Sequence, residues 1–360
     1  MKENILQVTT SSQQSQNSKL SPIAQSLLSQ HVHLLELPEI REVDGYLFPL
    51  ALKATGELAK SRETCLTWLN QCGEQIRVAL KDHGALFLRD FAIDGAQDFE
   101  SAIDAAEFAE MPYVGGAAPR EVVTSRRILT ANESPPDQPI PFHHEMAQVP
   151  SPPGYVFFYC ETAPKVGGAT PIVHSHKVYQ RFREIDKVFC EKLETQGVRY
   201  IRIMPSEDDP SSPIGRSWRA TFQVQADDLE TAQAQAEEKM REAGTTWRWL
   251  NHGELYTETA TIPAIRIEER TKKPTFFNSV VAAYTGWADT RNDPTKAVCC
   301  GDGSAVSGEA LLATAQAMQE EQVAISWQEG DMLWIDNRLT MHSRQPYKGA
   351  RRILAAIAPH

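Results

Sequence analysis

From residue 61 to 82 the apolar positions Leu66, Leu69, Ile76 and Leu80 recur at close to helical spacing, which predicts an amphipathic helix. His83-Gly84 ends it, and Ala85-Leu-Phe-Leu88 reads as a short buried strand. A second helix is predicted over Asp98 to Glu110. A third spans Ser175 to Thr195, where Val178, Phe182, Ile185, Val188 and Phe189 fall at helical spacing. Leu229 to Glu242 and Glu309 to Gln322 fit further helices. Gly154-Tyr-Val-Phe-Phe-Tyr-Cys160 is aromatic and β-branched, as a central strand would be. Gly167 to Val173 reads as a turn and a strand, and shorter strand-like runs recur at 200–203, 247–250, 260–267, 274–278, 331–337, 341–344 and 350–357. The stretches 113–139 and 206–222 are irregular. With no internal repeat and no linker between 40 and 358, the pattern predicts one domain over 23–360. Its class is mainly β with flanking α, built on a closed or sandwiched β-core.

Composition narrows the partners. Thr9-Thr-Ser-Ser-Gln-Gln-Ser-Gln-Asn-Ser18 cannot bury a face, so residues 1–22 are expected to form a disordered tail. That tail lacks the apolar core of a secretory signal and the arginines of a transit peptide. No run reaches the roughly 18 apolar residues of a membrane span. The 36 Lys and Arg against 47 Asp and Glu give a net charge of −11, which disfavours nucleic acid and anionic membranes as partners. The expected partner is a small-molecule substrate, and a homo-oligomer is compatible with the sequence. The six cysteines include no CxxC pair, which suits a reducing, cytoplasmic location. Cys160 ends an apolar run and reads as core, and packing is also the expectation for Cys299 and Cys300.

The chemistry centres on Ile140-Pro-Phe-His-His-Glu-Met146. In an extended strand His143 and Glu145 point the same way, and His144 points the other, where it would pack or support. Two histidines and one carboxylate on one octahedral face form the iron site of non-haem oxygenases, so a distant histidine is required. His342 is the candidate, 199 residues beyond His143 (342 − 143), and such a gap closes a site between non-local strands. Arg352 lies in the apolar strand that runs to Ile357, and burying a guanidinium there calls for an anion, such as a dicarboxylate held by two prongs. Arg351 alternates to the opposite face and reads as solvated. His174 and His176 read as a surface pair at the start of a helix. Phe276-Phe-Asn278 and Tyr284-Thr-Gly-Trp287 could line a pocket, although aromatic runs are more often core. Asn278, Arg120 and Arg344 are candidate substrate contacts.

Together, His143-x-Glu145, Gly167-Gly-x-Thr170, His342 and Arg352 resemble the TauD/TfdA family of Fe(II)- and 2-oxoglutarate-dependent dioxygenases over roughly residues 80–357. Within that family the pattern is similar to the clavaminate synthase-like branch, which includes plant proteins. The resemblance implies a double-stranded β-helix (jelly roll). It implies Fe(II) on His143, Glu145 and His342, with 2-oxoglutarate held by Arg352 and the Thr170 hydroxyl. It implies that O2 and 2-oxoglutarate are converted to succinate and CO2 while a C–H bond is oxidised, most often by hydroxylation, with desaturation and ring closure also known in the branch. Amino acids and their derivatives, some tethered to carrier proteins, are common substrates there. Taurine dioxygenase carries a further arginine four residues past the 2-oxoglutarate arginine. Ala356 stands there in this chain, which argues against taurine and simple sulfonates. The carboxylate ligand argues against the halogenase relatives. The residues alone also fit a zinc-dependent hydrolase on the same ligands, or a non-catalytic barrel that binds a small carboxylate.

Overall fold

The computed structural model describes residues 18–124, 127–131 and 134–360. The tail expected over 1–22 lies outside the described residues as far as 17. Residues 18–22 do not behave as a tail: Leu20 is buried, and the Ser21 hydroxyl caps the helix Pro22–Leu27 by accepting from the Ala24 N–H at 3.3 Å.

Two facing sheets position the site, and their ten strands are numbered here in chain order. They are β1 (Val32–Leu34), β2 (Leu50–Ala54), β3 (Ala85–Arg89), β4 (Leu129–Thr130), β5 (Ile140–His143), β6 (Tyr155–Thr162), β7 (Ile172–His174), β8 (Met332–Asp336), β9 (Thr340–Arg344) and β10 (Arg352–Ala358). The larger sheet runs β1-β2-β3-β8-β6-β10-β4 and the smaller runs β7-β9-β5. All neighbours are antiparallel except β2 and β3.

Alternation along the strands sorts the core into layers. Leu86, Leu88, Phe157, Tyr159, Trp334, Leu354 and Ala356 face helices Arg62–Gln71, Gly73–His83 and Gly95–Ala105. The other face of the same strands, with Phe87, Val156, Phe158, Ile335, Ile353 and Ala355, packs towards Ile172 of the smaller sheet. Phe142, Val173 and Met341 leave the smaller sheet on its far side, among helices Ser175–Ile185, Val280–Gly286 and Gly308–Glu321. Beyond them lies a four-stranded sheet, Thr246–Trp249, Leu255–Glu258, Val198–Met204 and Val298–Cys300. Helices therefore make up more of the chain than expected, and the class is mixed α/β. Among the described residues no helix is long and apolar enough to cross a membrane.

The expected helices survive with breaks. The 61–82 helix is two, Arg62–Gln71 and Gly73–His83, and Gly73 sits where an added Cβ would come 3.1 Å from the Ala106 carbonyl. The 175–195 helix is interrupted at Asp186, whose backbone is extended and whose carboxylate caps the second piece through the Phe189 N–H at 2.9 Å. The strands expected over 260–267 and 274–278 shrink to Arg266–Ile267 and Pro274–Thr275. All six cysteines are free thiols; Cys160 and Cys300 are buried as expected, whereas Cys299 is only half-buried.

His174 and His176, expected at the surface, are both buried. The His174 ring packs edge-on against Phe48, and burial pushes its pKa down to about 3. A histidine held neutral by the fold but free to protonate near 6.5 when unfolded favours the unfolded state as acid is added. Its contribution is complete above about pH 6.5 and is lost as pH falls towards the folded value. Stability from urea denaturation should therefore drop by about 1.4 kcal/mol per pH unit for this residue below pH 6.5. His174→Asn should flatten that slope.

Candidate metal and co-substrate site

His143, His342 and Ile172 sit in register across the smaller sheet, on the face turned to the larger one. The two imidazoles meet with ring centres 4.4 Å apart, and Phe158 of β6 packs 5.1 Å from His342. Glu145 reaches the same point from a turn, because β5 ends at His143. Its backbone is held by Asn337, just past β8. The Asn337 amide accepts from the Glu145 N–H at 2.8 Å and donates to the carbonyls of Glu145 and Pro153 at 3.1 and 2.8 Å. Asn337→Ala would leave those three buried groups without their partner. We expect a loss of roughly 2–4 kcal/mol in urea denaturation and weaker metal binding by about 10- to 100-fold.

One ligand atom from each of His143, Glu145 and His342 lies within 4.8 Å of the others, and among the described residues this is the cluster able to hold a metal ion. The chemistry of the donors fits one. The His143 Nδ1–H donates to the Pro141 carbonyl at 2.9 Å, which leaves the Nε2 lone pair free. His342 turns Nε2 towards Glu145 at 3.6 Å, while its buried Nδ1 has no hydrogen-bond partner among the described residues, so packing holds this ring. Burial pushes the pKa of His143 below its ordinary value against the pull of Glu145, and that of His342 well below, so both rings are neutral. Neutral imidazole is the form that coordinates metal. His144 is a support, as expected. It is fully buried, stacks on Phe277 with ring centres 4.4 Å apart, and hydrogen-bonds the Asn337 carbonyl and the Ser175 hydroxyl.

Arg352, the expected dicarboxylate anchor, does not line the cavity, and its neighbour Arg351 does. Arg352 points outwards: its side chain is 48% exposed and pairs with Glu161 at 2.5 Å. Arg351 lines the cavity that holds the metal cluster. Its Nε–H donates to the Gly168 carbonyl at 2.9 Å and its Nη2 to the Thr170 hydroxyl at 3.3 Å. A register shift between Arg352 and Ile353 marks this end of β10. Thr170 is where the sequence places it, in the cavity wall, and its oxygen also accepts from the Trp327 indole N–H at 3.2 Å. With two donors on that oxygen, the hydroxyl hydrogen is left to face a ligand. Gly168 makes room for the anchor. Its φ is +69°, and an added Cβ would lie 3.1 Å from Arg351 Cδ and 2.9 Å from Tyr347 Cβ.

The three candidate substrate residues separate. Asn278 does not line the cavity; it is buried and ties Ala264 to Val280 at the start of helix Val280–Gly286. Arg344 lines the cavity but donates to the carbonyls of Ser134, Pro135 and Gln138. Arg120 lies in the cavity wall, and its Nη2 donates to both Glu145 oxygens at 3.0 Å. Burial opposes the Arg120 charge, and Glu145 and Tyr113 together outweigh it, raising its pKa. Both irregular stretches supply lining, through Tyr113 and Ala118 from one and Pro213 and Ile214 from the other. Trp287 lines the cavity as well, whereas Phe276 is core.

Two neutral histidines and a carboxylate, buried between sheets and sharing a cavity with an arginine and a threonine hydroxyl, have the donor set of a mononuclear non-haem iron centre and the groups to receive a carboxylate beside it. The chain belongs to the TauD/TfdA dioxygenase family, whose model ("Taurine catabolism dioxygenase TauD, TfdA family") matches residues 55–357. It is thus an iron- and 2-oxoglutarate-dependent dioxygenase. It is 47% identical over 278 residues to the clavaminate synthase-like protein At3g21360 of Arabidopsis thaliana, covering 77% of this chain and 82% of that one. It is 27% identical over 297 residues to the dapdiamide synthesis protein DdaC of Enterobacter agglomerans, covering 77% of this chain and 83% of that one. Among solved structures, the PvcB protein of Pseudomonas aeruginosa shares the fold at a TM-score of 0.52 and 15% identity, covering 92% of this chain and 93% of that one.

Proposed function

We propose that this dioxygenase hydroxylates a C–H bond of a small metabolite, an amino acid or an amino-acid derivative, in the cytoplasm. His143, Glu145 and His342 would hold Fe(II), and Arg351 with Thr170 would hold the distal carboxylate of 2-oxoglutarate. The two facing sheets are then the halves of a double-stranded β-helix. One observation carries the assignment: the three ligand atoms lie within 4.8 Å of one another, in the cavity that Arg351 and Thr170 also line. The name of the 27% relative, a protein of dapdiamide synthesis, is in keeping with a metabolite substrate.

When bound, Fe(II) supplies the redox chemistry that couples O2 and 2-oxoglutarate, giving succinate and CO2, to oxidation of the substrate C–H. The chain supplies position and environment. The pinned His143 tautomer and the Asn337 clamp on Glu145 fix two donors before any ligand arrives, so little reorganisation is left to the reaction. Phe158, Ile214, Trp287 and Ile353 wall the cavity and keep water from the reacting atoms. Arg351 offers its fork to a planar carboxylate with Thr170 beside it, which orients the co-substrate along one wall. Ala355 stands four residues beyond Arg351 and carries no charge, so the case against taurine survives the change of anchor.

The test is succinate formation from 2-oxoglutarate under Fe(II), ascorbate and O2, across a panel of amino acids and derivatives. Succinate should rise with one panel member, and that compound should gain one oxygen atom by mass spectrometry. Stimulation by a substrate that instead loses two hydrogens would replace hydroxylation with desaturation. Stimulation only by compounds unrelated to amino acids would overturn the substrate class.

A further inference from the structure

Tyr113 and Arg120 line the metal cavity and also an adjoining cleft, whose other walls include Val122, Leu129 and Arg216. The two residues belong to the lining of both spaces. The Arg120 guanidinium carbon lies 4.4 Å from the centre of the Tyr113 ring, and that of Arg216 lies 5.1 Å from the same centre. Two cations therefore lean on one phenol ring, a favourable contact when desolvated but no substitute for an anion.

Their charges are poorly matched by the protein. The Arg120 side chain is 6% exposed, and among the described residues its carboxylate partner is Glu145, which the metal site also claims. Arg216 donates to the Ala220 carbonyl at 3.0 Å and has no ion pair among the described residues. The Nε atoms of both arginines are buried without a hydrogen-bond partner among those residues. Arg202, buried behind them, adds a third guanidinium and donates to the Arg216 carbonyl. Arg120 shares its one carboxylate with the metal site, and Arg216 has none within ion-pair distance among the described residues. A guanidinium partly withdrawn from water and short of an anion is costly, and it matches carboxylate and phosphate oxygens two at a time.

We propose that the primary substrate carries an oxyanion, a carboxylate or a phosphate monoester, that seats on Arg120 and Arg216 across Tyr113 while its remaining part reaches the metal cavity. This rests on the oxygenase reading and names the class of molecule that the site accepts. Arg120 then serves two partners, Glu145 on one side and the substrate anion on the other, and Arg216 sets specificity from the cleft.

The experiment uses the full chain loaded with Mn(II) and 2-oxoglutarate, a pairing without turnover, and isothermal titration calorimetry. Its probes are the N-acetyl amino acids, their primary carboxamides, and O-phosphoserine with serine as its control. At least one acid or phosphate should bind tenfold or more tightly than its neutral partner. Arg216→Met and, separately, Arg120→Met should each erase that preference by at least tenfold, with 2-oxoglutarate affinity within twofold in Arg216→Met. Whether the acids or the phosphate respond tells which oxyanion is read. If no probe binds better than its neutral partner, or if Arg216→Met retains the preference, the proposal falls. Failure of the oxygenase reading would show earlier and separately, as absent binding of 2-oxoglutarate to the Mn(II)-loaded protein.

Discussion

Arg351→Met is expected to raise the KM and Kd for 2-oxoglutarate by at least about 30-fold, since losing one partner of a buried charge pair costs roughly 2–5 kcal/mol. Arg352→Met should leave both values within about twofold, because an exposed ion pair contributes about 0–1 kcal/mol and this one faces Glu161 outside the cavity. The contrast between neighbours is what gives the experiment its force. Both variants remove the same charge from the same strand end, so a general electrostatic effect would move them together. Arg351 also braces the loop before β7 through the Gly168 carbonyl, so its variant should be checked for stability. Arg351→Lys is the useful companion. It keeps the charge and loses the fork, and it should recover only part of the affinity.

The second large effect concerns the metal. His342→Ala removes one of three donors from a site whose ligand atoms lie within 4.8 Å, and it should weaken Fe(II) or Mn(II) binding by more than about 100-fold. That bound follows because groups behind the ligands already cost 10- to 100-fold when lost. Succinate formation should fall with the metal. Glu145→Ala should behave alike in metal binding, with one difference. It also releases Arg120 from its carboxylate, leaving a buried cation unpaired, so it should destabilise the metal-free protein more than His342→Ala does. Urea denaturation of the two metal-free variants reads that difference.

How much of this was visible in the sequence depends on what each residue was compared with. His143 and Glu145 follow from the alternation of an extended chain, although Glu145 in fact comes off a turn held by Asn337. His342 was a candidate by its residue type and its place after a strand, and the resemblance strengthened it, because nothing in the chain between it and His143 says which strands lie side by side. Arg351 was misjudged for a physical reason. Ile353, Ala355 and Ile357 on one face of β10 and Leu354, Ala356 and Ala358 on the other are all buried, so hydrophobicity carries no record of which face is inward. A strand buried on both sides hides its parity, and the register shift at its start compounds this. Asn278 failed differently. A polar residue after an apolar run can serve the backbone as readily as a ligand, and here it does so. The link between Arg120 and Glu145 crosses irregular chain, where spacing has no geometric meaning. The helix Val280–Gly286, which brings Trp287 to the cavity, had no clear signal because its apolar residues pass equally for strand.

The proposed cation and co-substrate sites share one cavity, so each should depend on the other. Anaerobic equilibrium dialysis of the intact chain with Fe(II) and labelled 2-oxoglutarate measures this directly. We predict one iron and one 2-oxoglutarate per chain, with 2-oxoglutarate binding weakened when iron is withheld and both lost in His342→Ala. Binding of 2-oxoglutarate that is indifferent to iron, or that is unchanged in His342→Ala, would contradict the account.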